Sequence, residues 1–366
     1  MTAAATFVYV SNAGDGDIGV YRLDAGSGAL LPGPRVAAGS AVGPMAVSPD
    51  RRFLYAALRG KPPAVVTFAI DRATGTLNQL SSSPLAESFP YISLDRSGRY
   101  LFGASYGAHL VSVNAVGSDG RVDPEPLQVI LIGRNAHSIR IEATNRYVFA
   151  PCLGSDQIFQ FAFDVKSGRL ASNTPPVVSQ KPHTGPRHFV ISRDNKHLYM
   201  LSELLGTVTT YRLDNDTGLL TEVSSVSGVP PDAKLIPGSP RLPAVPGGPP
   251  PRNLDYDIWA ADIHMTPDGR FLYMSERTSS TIGGFSVDEQ TGKLTYIGST
   301  PTEKQPRGFA IDPSGKFMVV AGEKSETISA YAIDPATGAL RLAGKYPTGK
   351  GSSWVEIVSF DSKETT

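Results

Sequence analysis

Short runs of alternating apolar and polar residues recur along this chain, each closed by Gly, Pro, Asn or Asp, and the runs fall into one repeating pattern. An apolar-alternating segment leads into a turn of the Ser-Pro-Asp-Gly-Arg kind, then into an aromatic-Leu-Tyr segment. A third segment follows, then an Asp-x-x-Thr-Gly turn and a Leu-containing fourth segment. Met45 to Tyr55, Phe189 to Tyr199 and Ile263 to Tyr273 are three clear copies. With the Tyr of "Leu-Tyr" as marker, the copies fall at Tyr9, Tyr55, Phe102, Phe149, Tyr199, Tyr273 and Val319, with gaps of 46, 47, 47, 50, 74 and 46 residues. Period-2 alternation with Asp-Gly and Thr-Gly punctuation predicts antiparallel hairpins. A unit of about 40–50 residues carrying four strands is the sequence mark of a propeller blade. No window sustains the 3.6-residue period of an amphipathic helix.

The ends of the chain complement one another. The first copy lacks an opening strand and begins at Phe7-Val8-Tyr9, while the last is followed by an unclaimed strand, Trp354 to Asp361, whose Val-Ser-Phe-Asp matches Val47-Ser48-Pro49-Asp50. The expected fold is therefore an all-β, seven-bladed β-propeller of four-stranded antiparallel blades, one domain over residues 1–366, closed by pairing of its N- and C-terminal strands. Two unrelated β domains would leave that complementarity unexplained, and closure removes edges that invite aggregation. The 74-residue gap marks an insertion, placed at 222–258. Nine prolines lie between Pro230 and Pro251, and such a segment cannot join a sheet ladder. By its place between a fourth and a first strand it should hang over the same face of the ring as the site deduced below.

Composition narrows the function classes. Lys plus Arg and Asp plus Glu both number 34, so no global field draws the protein to nucleic acid or an anionic membrane. A single cysteine, Cys152, excludes an intramolecular disulfide, and no leader-like or 18-residue apolar run is present; the cytoplasm is the expected location. A closed ring needs no partner to bury its edges, so a monomer acting on a small molecule is expected.

In a propeller the first strand of each blade lines the central channel, and the start of strand one shares a rim with the end of strand two. Aligned residues at the start of strand one are Gly43, Pro90, His137, Arg187, Ala261, Arg307 and Trp354; those at the end of strand two are Ala13, Arg59, Tyr106, Leu153, Glu203, Arg277 and Glu323. Positions related by pseudo-symmetry would share residue types if they only packed. Here they differ, and His137, Arg187, Arg307, Arg59, Glu203, Arg277, Glu323 and Tyr106 should ring one mouth. Guanidinium forks match phosphate or carboxylate, and Glu and His move protons. His188 and His264, on strand one beside the rim, are intermediate candidates, whereas His109, His183 and His197 are expected to be structural. Rim charges also pair merely with one another, so a structural role for any single Arg stands beside the functional one. The Asp residues of the Ser-Pro-Asp-Gly-Arg turns serve turn chemistry and should lie on the opposite face. No Gly-x-x-x-x-Gly-Lys-Ser/Thr run, no Gly-x-Ser-x-Gly elbow and no paired Cys-x-x-Cys is present, so neither a metal nor a cofactor is expected. Cys152 is expected to be a buried thiol.

At these residues the chain resembles the bacterial cycloisomerase-type 6-phosphogluconolactonases. The resemblance is carried by Trp259 to Arg270, Glu276-Arg277-Thr278, Gln305 to Phe309, Gly185-Pro186-Arg187-His188, Ser202-Glu203-Leu204 and Ala136-His137-Ser138. It extends over essentially the whole chain and is densest from Gly185 to Trp354. That family is a seven-bladed propeller that opens a sugar δ-lactone without a metal, and its fungal relatives include carboxy-muconate lactonizing enzymes. The resemblance implies catalytic roles for His137, Arg187, Glu203 and Arg277, with Arg307, His188, Arg59, Tyr106, Glu323, Trp259 and His264 as substrate-binding candidates. The long proline-rich segment departs from the family pattern and bears on substrate identity. Hydrolysis of 6-phosphogluconolactone is the leading expectation, with Glu203 or His137 as general base. A lactone-forming cycloisomerase and a non-enzymatic interaction platform are the alternatives.

Overall fold

The repeat dictates seven sheets, and seven four-stranded antiparallel sheets form. The computed structural model describes residues 5–241 and 253–360; among them are twenty-eight strands and one short 3-10 turn, Leu153–Ser155. The innermost strands are Ser352–Phe360, Val42–Val47, Tyr91–Leu94, Arg140–Ile141, Pro186–Ile191, Ala260–Met265 and Pro306–Ile311. Closure is as expected: Ser352–Phe360 pairs antiparallel with Ala5–Asn12, with Tyr9 opposite Glu356 and Val8 opposite Ile357. Asp361, assigned from sequence to the closing strand, lies outside the described residues. Among the described residues no helix is long and apolar enough to cross a membrane.

Each second strand is sandwiched between neighbouring blades and is buried along nearly its whole length, as in Tyr100–Ser105 and Phe271–Glu276. This explains the apolar "Phe-Leu-Tyr" runs. Outermost strands such as Leu30–Ala37 are mostly exposed. The core is seven apolar clusters, one per interface between adjacent blades. One joins Tyr9 and Val20 to Met45 and Leu54; another joins Tyr199 and Leu201 to Met274 and Phe285.

The marker tyrosine does more than fill volume. The hydroxyl of Tyr9 donates to the carbonyl of Gly75, 3.0 Å away in the next blade's Thr-Gly turn, and Tyr273 donates to Gly338 at 2.7 Å. Gly75 has φ +72°, and an added Cβ would lie 2.3 Å from Phe7, so the turn fits against the preceding blade only as glycine. Tyr55 occupies the equivalent place, yet its buried hydroxyl has no partner among the described residues. Tyr273→Phe should therefore cost about 1–3 kcal/mol by orphaning a buried carbonyl, and Tyr55→Phe should be neutral or stabilising. Denaturant melts of the two variants check this; equal losses would refute the clasp.

One expectation about the insertion needs adjustment. Its first six residues, 222–227, belong to the fourth strand Leu220–Ser227, because they continue the ladder against Thr207–Leu213. Much of the proline-rich run lies outside the described residues. The described part is stitched inward: Ile236 pairs with Asp257, the Ile258 N–H donates to the Ile236 carbonyl, and the Gly238 N–H donates to the Leu204 carbonyl.

Candidate active site

The site is built where inner strands begin. Pro186 pairs with Ser202, Ala260 with Glu276 and Pro306 with Gly322, so the start of strand one does meet the end of strand two. The ladder breaks between Pro186 and Phe189, between Ala260 and Ile263, and between Pro306 and Gly308. Such bulges re-aim side chains. Here they let Arg187 and His188 in one blade, and Ala261 and Asp262 in the next, all reach the channel wall.

Glu203 is the hub. Its Oε2 accepts from Arg187 Nε at 2.6 Å and ion-pairs with Arg277 Nη2 at 3.1 Å, and its Oε1 accepts from the Trp259 indole N–H at 3.2 Å. Arg277 also donates to the carbonyls of Trp259 and Ala260, at 3.0 and 3.1 Å, and its guanidinium lies 3.6 Å from the Trp259 ring centroid. Arg187 donates to the Ala261 carbonyl and to His188 Nε2. Burial pulls the two guanidiniums down to about 10 for Arg187 and about 9 for Arg277, against the pull of Glu203; both stay charged at neutral pH. Trp259 is itself held at the corner by its backbone N–H, which donates to Glu276 at 2.7 Å.

Arg307 pairs with Glu323 at 3.2 Å, and Gln305 donates to the other oxygen of that carboxylate. Burial opposes the charge of Glu323, but Arg307, Arg277 and Arg187 outweigh it and hold its carboxyl below the usual range. The stem of Arg59 rests on Gly43, where an added Cβ would lie 3.0 Å from Cδ, and its charge interacts with those of Arg307, Glu323 and Arg187. Four guanidiniums (Arg59, Arg187, Arg277 and Arg307) thus face two carboxylates, a local excess of positive charge in a neutral chain.

His137 stands apart. Its ring packs edge-on against Tyr106 at 5.6 Å and His188 at 5.2 Å, and its buried Nδ1 has no hydrogen-bond partner among the described residues. Burial first, and then the charge of Arg187, hold its imidazole well below the ordinary value, so it is neutral. Burial likewise raises the Tyr106 phenol to about 12, with Glu203 adding to the shift. Since Arg187 can only donate, His188 accepts through Nε2 and carries its proton on Nδ1, which donates to Asp262 Oδ1 at 2.9 Å. Asp262 also accepts from His264 Nε2 at 3.1 Å. Burial disfavours the Asp262 charge, yet His264 and His188 hold the carboxyl far below its usual range.

The structure therefore gathers His137, Arg187, Glu203, Arg277, Arg307, Glu323, Tyr106 and Arg59 about one mouth. It does not bring His264 there. His264 pairs with Tyr273 farther along its strand, lies edge-on to Phe309 at 4.8 Å, and lines the other half of the channel. That half is a cavity of about 400 Å³ walled by Tyr91, Arg140, Asp262, Trp354 and Glu356, reaching Asp95 and Arg96 at the turn face. Trp354, aligned from sequence with the rim, belongs to this chamber and donates to Glu356 at 2.8 Å. Asp262 has no metal-like partner set in the sequence to single it out; its role as the bridge between two histidines is a three-dimensional fact. Among the described residues no group of three His, Cys, Asp or Glu side chains is placed to hold a metal. Cys152 is buried and its thiol is pushed up to about 12 by burial, and His109 Nδ1 accepts from the Asn135 N–H, so both are structural.

Ring and mouth together define a seven-bladed propeller whose mouth gathers four arginines. The chain belongs to the seven-bladed β-propeller lactonase family, whose profile matches residues 5–357. It is 40% identical over 308 residues to a 6-phosphogluconolactonase of Serratia proteamaculans, covering 83% of this chain and 84% of that one. It is 36% identical over 354 residues to a 6-phosphogluconolactonase of Pectobacterium carotovorum, covering 97% and 99%. Among solved structures, the periplasmic gluconolactonase of Pseudomonas aeruginosa superposes with a TM-score of 0.84 at 27% identity, covering 98% of this chain and 99% of that one.

Proposed function

We propose that the protein hydrolyses a sugar lactone, with 6-phosphogluconolactone as substrate and 6-phosphogluconate as product, and so serves the oxidative pentose phosphate pathway. The observation that carries this reading is His137: a neutral imidazole without a protein partner for its buried Nδ1 among the described residues, beside Arg187 at a mouth with excess positive charge. A buried ring nitrogen left unpaired is disfavoured by about 1–3 kcal/mol, and such groups recur where catalysis needs them. His137 is the general base in this reading. It takes a proton from water as the water oxygen bonds to the lactone carbonyl carbon. Arg187 and Arg277 stabilise the oxyanion. The bond from that carbon to the ring oxygen then breaks, the ring oxygen takes the proton back from His137, and the resulting carboxylic acid gives its proton to solvent and leaves as a carboxylate. Glu203, with all its contacts on Arg187, Arg277 and Trp259, positions the arginines and is not the base.

The test is hydrolysis of freshly generated 6-phosphogluconolactone, with chelator present, across pH. Turnover is expected to resist the chelator. Since the His137 shift is downward, its neutral form persists into acid, and the acid limb of kcat/KM should lie below the ordinary imidazole value of about 6.5. No turnover would sink the reading, and a limb at or above about 6.5 would remove His137 as the base.

A further inference from the structure

We propose that Arg241, delivered to the mouth by the proline-rich insertion, is the residue that selects a phosphorylated sugar ligand over its unphosphorylated counterpart. The proposal rests on the lactonase reading of the site and names its specificity determinant.

Three observations converge on it. The first is delivery. Gly238 is pinned by its N–H to the carbonyl of Leu204, directly after Glu203, and the Ile236–Ile258 bond stitches the same segment to the strand entry that carries Trp259. The fit is close: an added Cβ on Gly238 would lie 2.2 Å from the Ile258 carbonyl oxygen. Arg241 follows three residues later with little freedom to lie elsewhere.

The second is placement. The Arg241 guanidinium sits 4.1 Å from the centroid of the Trp259 ring, the ring that also carries Arg277 at 3.6 Å and donates to Glu203. A guanidinium over an indole keeps its planar edge free for hydrogen bonds while its face is occupied. The third is availability. Arg187 and Arg277 are buried and bonded to Glu203 and to backbone carbonyls, and Arg307 is paired with Glu323. Arg241 is half-buried, and no carboxylate among the described residues pairs with it. A cation stacked on the indole, beside a mouth where Arg187, Arg277 and Arg307 are already paired and, among the described residues, of the mouth arginines only Arg59 is not, is suited to a dianion carried on the far end of the ligand. Phosphate accepts the guanidinium fork and a sugar hydroxyl does not match it.

The experiment is calorimetric binding of 6-phosphogluconate and of gluconate to the intact protein, to Arg241→Ala and to Arg241→Lys, with thermal melts of each. Wild type should prefer the phosphorylated ligand. Arg241→Ala should reduce that preference about ten-fold or more, the effect of losing one charge-assisted contact, and Arg241→Lys should restore part of it. The proposal is overturned if wild type shows no preference, if the preference survives in Arg241→Ala, or if both ligands weaken equally, as they would if Arg241 only propped up Trp259. A wild type that binds the phosphorylated ligand through Arg241 yet hydrolyses neither lactone would sink the lactonase reading and leave this one standing.

Discussion

His137→Gln is expected to lower kcat by about 10²–10⁴ while leaving the melting temperature unchanged or slightly raised. Loss of a general base accounts for the first effect. The second follows from what the ring does in the fold. Its buried Nδ1 makes no bond to any described residue, and its ring meets Tyr106 and His188 edge-on. Substitution therefore breaks no side-chain hydrogen bond to a described residue, and the amide of Gln replaces a ring nitrogen that is already unpaired. The backbone N–H of residue 137, which donates to the Pro151 carbonyl at 3.0 Å, is untouched. KM should move little, because the arginines and not the imidazole hold the anion. Steady-state kinetics and a melt decide it: a kcat loss under about five-fold would mean that another group takes the proton.

The fold is legible because a propeller repeats. Each copy states the same strands and turns, so a marker at Tyr55 or Tyr273 locates a second strand without any helix or strand scale. The complementarity of Phe7 and Trp354 supplies closure. The mouth is legible for the same reason, since alignment in phase converts position in the repeat into position on the ring. That conversion alone sets His137, Arg187, Glu203 and Arg277 on one rim, and the folded chain gathers all four there.

What is not legible lies in local register and tertiary contacts rather than in the phase of the repeat. The bulge between Ala260 and Ile263 inserts a residue, so counting from the aligned start puts His264 beside the rim when the ladder pairs it with Tyr273, deeper in the channel. The same bulge hides Asp262, whose value lies in touching His188 of one blade and His264 of its own. Arg241 has no counterpart in any other blade and sits in a proline-rich run with no periodicity, so no alignment of the repeats gives it a place. Its signal is the bond from Gly238 to Leu204, a tertiary contact. Residue type makes Glu203 and His137 equal candidates for the base, and the proposed choice of His137 rests on three contacts of the Glu203 carboxylate, with Arg187, Arg277 and Trp259, that the sequence does not reveal.

Those three contacts set the second large effect. Glu203→Gln is expected to lose both stability and activity, unlike His137→Gln. The carboxylate is buried and is the shared counter-ion of Arg187 and Arg277, which are themselves almost wholly buried. An amide of the same shape still offers one acceptor oxygen but turns its NH2 toward guanidinium N–H groups and leaves two like charges without compensation. Breaking a buried ion pair by removing one partner costs about 3–5 kcal/mol. In a chain of 366 residues that corresponds to a fall of roughly 4–7 °C in melting temperature. Activity should fall even where the variant is fully folded, since Arg187 and Arg277 would no longer be held where an oxyanion forms. Glu203→Asp retains the charge with a shorter reach and should recover part of the stability. If Glu203→Gln melted with the wild type and kept its kcat/KM, the carboxylate would not be the anchor of the arginine pair, and the division of labour between Glu203 and His137 would have to be redrawn.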